Sequence, residues 1–83
     1  MNKVQRKCME GYLTMVLRKL ERCEERRDIA EDSGDTDAVE RLTVCIETLV
    51  AELKGADSIL TMLGYVRKHH DDDDKGFYTI EKV

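Results

Sequence analysis

Between residues 3 and 30 the apolar side chains Met9, Leu13, Val16, Leu20, Cys23 and Ala30 recur at steps of four, three, four, three and seven. That is the seam of a helix read in heptads, with one polar member, Arg27, in the sixth place. Asn2 stands where the cap of such a helix belongs. The stretch Glu31-Asp32-Ser33-Gly34-Asp35-Thr36 breaks the rhythm with turn-forming residues and predicts a turn over 31–36. Asp37, with Glu40 three residues on, gives a capping-box-like start to a second helix, and Asp35 is an equally good cap. Its seam runs Val39, Leu42, Ile46, Leu49, Leu53, Ala56, Leu60 and Leu63 with no polar interruption. The spacing predicts one long helix over 37–68. Any bend belongs at Gly55, where a helix-interior glycine costs about 1 kcal/mol.

The two seams also fit each other. Folded back at Gly34-Asp35, the chain sets Ala30 against Val39, Cys23 against Ile46, Leu20 against Leu49, Val16 against Leu53 and Met9 against Leu60. One register satisfies every layer, as an antiparallel hairpin with a short connection requires. The expected fold class is therefore all-α: a coiled-coil-like helical hairpin over residues 1–70, then an acidic linker and tail over 71–83.

Two helices alone leave apolar surface in water. Tyr12, Leu17, Val50, Ile59, Met62 and Val66 widen the apolar face at the open end, whereas Glu24, Arg26 and Asp28 flank the loop end. Those six apolar residues form the expected oligomer interface, joining two hairpins into a four-helix bundle as a homodimer or higher assembly. The alternative cover is the tail itself, residues 71–83 folded back over the same face. In layout the chain resembles the Rop family of plasmid copy-number regulators, helical hairpins that dimerise into four-helix bundles and bind RNA. The resemblance covers the hairpin and its heptads and carries no functional residue across.

Composition narrows the function classes. Residues 1–31 hold eight basic and six acidic side chains, and residues 32–83 hold six basic and twelve acidic, for a net charge of −4. Bulk charge of this sign opposes nucleic acid and leaves only a local patch. The longest apolar run, Tyr12 to Leu17, is too short to span a membrane, and no signal-peptide pattern is present. Cys8, Cys23 and Cys45 are odd in number and in no CxxC pairing, which suggests reduced thiols in a cytoplasmic protein.

Candidate chemistry is sparse. His69-His70 beside Asp71–Asp74 has metal-ligand composition, yet adjacent histidines on a helix point apart, and a solvated helix end accounts for the segment. Glu21/Glu24 and Glu25/Asp28 have the i, i+3 spacing of metal-dependent nucleotide hydrolases, but no carboxylate occupies a seam. No catalytic residue, metal site or cofactor is expected. Arg18, Arg22 and Arg26, with Lys19 beside them, form a stripe able to grip phosphate, unless Glu21 and Glu25 neutralise it. The sequence thus reads as a small non-enzymatic interaction module, a regulator or inhibitor that docks onto another protein. Phage and mobile-element genes encode compact helical proteins of this kind. The alternative reading is an oligomeric bundle that binds RNA or a small nucleotide through the arginine stripe.

Overall fold

The computed structural model describes residues 1–73 and 75–83. Helix α1 spans Lys3–Ser33 and α2 spans Thr36–Met62; strands β1 (Tyr65–Asp72) and β2 (Lys75–Lys82) follow as an antiparallel pair. The fold is α+β, which corrects the expected all-α class. Residues read as the end of the second helix and a loose tail form a two-stranded sheet.

The departure begins at Gly64. The Leu63 amide closes α2 on the carbonyls of Ile59 and Leu60, and Gly64 takes a φ of 83°. That left-handed conformation is open to glycine and strained for other residues, so the helix stops at Met62 rather than continuing to 68. The helical periodicity misleads here because Ile59, Met62 and Val66 keep the three–four step across the break. The alternation of β1 is hidden because its helix-facing positions include Arg67 and His69. Asp72 pairs with Lys75 at the hairpin mouth, and Asp73 turns with a φ of 48°. The acidic run expected to end a helix thus falls at a strand turn, with Asp74 outside the described residues.

The helical pair follows its sequence signals closely. Asn2 and Gln5 form a reciprocal capping box, each side chain accepting from the other's backbone amide. At the far end Gly34 adopts a φ of 75°, its amide bonds to Glu31, and the Asp35 amide bonds to Ala30. This is a Schellman closure. The Asp35 carboxylate then accepts from the Ala38 amide and caps α2. The expected six-residue turn shrinks to Gly34-Asp35, because the closure lets α1 run on to Ser33.

Every position of both seams except Leu63 is buried or half-buried. Leu13, Val16, Leu53 and Leu60 form the centre of the core, and Ile80 of β2 completes it. The sheet lies across one face of the helical pair and is fastened to both helices. Thr14 Oγ1 accepts from the Tyr78 amide at 3.0 Å, and the Glu10 carboxylate accepts from the Ile80 amide at 2.7 Å. These bonds occupy edge donors of β2 that would otherwise invite another strand. On β1, Arg67 meets Asp57 of α2 through two 2.8 Å hydrogen bonds and lies 4.4 Å over the Tyr78 ring.

Candidate functional site

The sheet divides the helical pair into a covered face and a bare one. On α1 its contacts run down Glu10, Thr14, Leu17 and Glu21, one line of i, i+3 and i+4 neighbours. Leu17 is 8% exposed, with Gly76 passing so close that an added Cβ would lie 3.0 Å from its Cδ2. The opposite side of α1 carries Val4, Cys8 and Tyr12 at steps of four, and further along Lys19 and Arg26.

At the open end the bare face holds a furrow of about 640 Å³ between the helices. Val4, Cys8 and Tyr12 form one wall, and Gly55, Ala56 and Ile59 form the other. Val4 is 71% and Ile59 54% exposed. Tyr12 donates to the Glu52 carboxylate at 3.4 Å, a polar clasp across the furrow. No atom lies within 4 Å of where a Gly55 Cβ would stand, so nothing in this chain requires a glycine there.

Toward the inter-helix turn the bare face changes character. A second furrow, of about 440 Å³, has Cys23 and Leu49 in its floor, Val44, Cys45 and Thr48 along α2, and Lys19, Arg22 and Arg26 on its α1 rim. The sequence-predicted stripe is split by this geometry. Arg18 lines a different groove beside the sheet, together with Glu21, Glu25 and Lys75, and Arg22 borders both grooves.

The six expected interface residues do not share one surface. Tyr12 and Ile59 meet in the open-end furrow, whereas Leu17 lies beneath the sheet, which takes the place expected of a second copy at that flank. Val50 is half-buried. Met62 is 85% exposed at the end of α2, and Val66 is exposed on β1. Val4 and Cys8 belong to the furrow although neither is among the six expected interface residues; their steps of four to Tyr12 are the available signal.

The remaining candidates disperse. His69 and His70 are neighbours on a strand, so they point to opposite faces of the sheet and cannot converge on one ion. His69 packs on Tyr78, while His70 stacks on Phe77 with its Nε2 2.7 Å from Thr79 Oγ1. Among the described residues no group of histidine, cysteine and carboxylate side chains converges with metal-binding geometry. Glu21, Glu24, Glu25 and Asp28 are all exposed. Cys23 is half-buried in its seam, whereas Cys45, one position from the seam residue Ile46, is exposed. Among the described residues no helix is long and apolar enough to cross a membrane. Set against known protein families, curated proteins and solved structures, the chain finds no match.

Proposed function

We propose that this protein is a small non-enzymatic interaction module of the cytoplasm, which works as a homodimer and regulates or inhibits another protein by docking onto it. One observation carries the reading. The chain uses its own sheet to seal one face of the helical hairpin and leaves the opposite face bare, with an apolar furrow at the open end. Val4, Cys8, Tyr12 and Ile59 leave apolar surface in water there, at a cost of roughly 25 cal/mol per Å². A second copy, related by a two-fold axis, offers the same surface back and covers both furrows at once. Gly55 supports this occupant: a glycine in an exposed helix interior costs about 1 kcal/mol, and it lets the backbone of a neighbouring helix approach closely. The cytoplasmic setting fits three free thiols, two of them exposed.

Sedimentation equilibrium tests the reading. The protein should sediment as a dimer at tens of micromolar, and Ile59→Glu should give a monomer with an unchanged circular dichroism spectrum, its melting temperature no longer rising with protein concentration. A clean monomer of the unaltered protein, or a dimer indifferent to Ile59→Glu, defeats it.

A further inference from the structure

The second furrow has a chemistry of its own. Lys19, Arg22 and Arg26 step by three and four and stand as one row along α1. None of the residues lining this furrow is acidic. Among the described residues, the ion pairs within 4 Å are Arg67–Asp57 and His69–Asp71, so none of the three cations is paired. Glu21 and Glu25, which spacing alone offers as partners, line the groove on the sheet side of α1, which Arg22 also borders, and among the described residues neither stands within 4 Å of a cation of the row. Beneath the cations the furrow is apolar. Its floor is Cys23 and Leu49, and Val44 projects from α2 with 61% of its surface in water.

A ligand for such a surface needs the converse arrangement, with carboxylates along one edge and apolar side chains pointing down. A third helix lying along the furrow between two antiparallel helices has that geometry, with anchors at i, i+3, i+4 and i+7. We infer that the loop-end furrow captures an acidic amphipathic helix of a partner protein. Its apolar stripe lies over Cys23, Val44 and Leu49, and its acidic edge lies on Lys19, Arg22 and Arg26. The inference rests on the reading of this chain as an interaction module and names the class of partner. Nucleic acid fits the furrow less well. No aromatic ring lines it for a base to stack on, the apolar floor has no use for phosphate, and the net charge of −4 opposes a long polyanion.

The test uses a random display library of peptides about 16 residues long, roughly four helical turns, selected on the full-length protein. Enriched peptides should carry Asp or Glu beside apolar residues at helical spacing. The binding of a synthetic copy should weaken at least about tenfold, or 1.4 kcal/mol, in Arg22→Glu/Arg26→Glu. Val44→Asp should weaken it too without altering any cation, and Ile59→Glu should leave it unchanged. Enrichment of nothing, enrichment without acidic residues, or affinity indifferent to Arg22→Glu/Arg26→Glu overturns the inference. A short single-stranded RNA that displaces the peptide at moderate salt overturns it in favour of nucleic acid. Peptide binding by a chain that sediments as a monomer removes the dimer alone, and a dimer that selects no peptide removes this inference alone.

Discussion

The covered and bare faces of the helical hairpin are made from the same two helices, often from adjacent residues, yet they are built for different neighbours. On the covered side α1 presents Glu10 and Thr14 where they meet strand amides, with Leu17 directly under Gly76. On the bare side it presents Val4, Cys8 and Tyr12, which offer no such acceptors at matching intervals. A strand demands hydrogen-bond acceptors along its edge, whereas a helix, its backbone already satisfied, demands only shape and apolar contact. The polar residues between the heptads therefore decide which face is closed by the chain itself and which is left for another molecule.

The sharpest way to break this comparison is to change two consecutive residues of α2. Leu60, 1% exposed, packs against both the seam and the sheet, while Ile59 next to it faces the bare furrow. Leu60→Ala should cost about 2–5 kcal/mol, enough to unfold a domain this small, whereas Ile59→Ala should stay within about 0.5 kcal/mol in the monomer. Thermal melts at low concentration check both, and similar losses would mean that the two faces are not distinct.

Gly76→Val tests the seal itself. A Cβ alone meets His69 Nε2 at 2.9 Å and Leu17 Cδ2 at 3.0 Å, ends of side chains that yield partly, and the two methyl groups of valine add to the crowding. A loss of about 1–3 kcal/mol is expected, with faster amide exchange at Tyr78 and Ile80 as the sheet lifts.

Smaller effects of opposite sign sharpen the contrast. Gly55→Ala should stabilise the monomer by up to about 1 kcal/mol, since no atom stands near the new methyl group, yet weaken association across the furrow. Arg27→Leu should be neutral or stabilising, because the Arg27 Nε is buried without a hydrogen-bond partner and leucine restores the apolar seam. Denaturant titration of both variants decides the signs. If Arg27→Leu proves strongly destabilising, its guanidinium holds a contact that the fold as described lacks.

The contrast also marks how far sequence reasoning reaches. Both seams, the Asn2 cap and the short connection that folds α2 back on α1 are legible because each rests on local spacing: three–four steps, a capping residue ahead of the apolar rhythm, and Gly34 followed by Asp35. The sheet is not, because β1 half-buries Arg67 against Asp57, a partner ten residues away that periodicity does not see. Of the open-end furrow only Tyr12 and Ile59 are legible. Leu17 flanks the other side of the α1 seam, about 140° round the helix from Tyr12, and local spacing alone does not say which flank the sheet covers. The basic row at Lys19, Arg22 and Arg26 is legible as a stripe, but its division, with Lys19 and Arg26 in one furrow and Arg22 also bordering the groove of Glu21 and Glu25, depends on where the sheet runs. Gly55 reads from sequence as a defect of the helix and takes on a role only once both walls of the furrow are known.

The three cysteines provide the most direct measurement of the central claim, that the bare face is where a second copy docks. Cys8 lines the open-end furrow, Cys45 the basic-rimmed one, and Cys23 is half-buried between the helices. Their labelling rates with a thiol reagent can be followed separately by mass spectrometry as protein concentration rises from nanomolar to about a hundred micromolar, the span over which a micromolar dimer fills. Cys8 should slow severalfold across that range, while Cys45 stays fast and Cys23 slow throughout. A Cys8 rate that does not change with concentration, or a slowing confined to Cys45, contradicts the account.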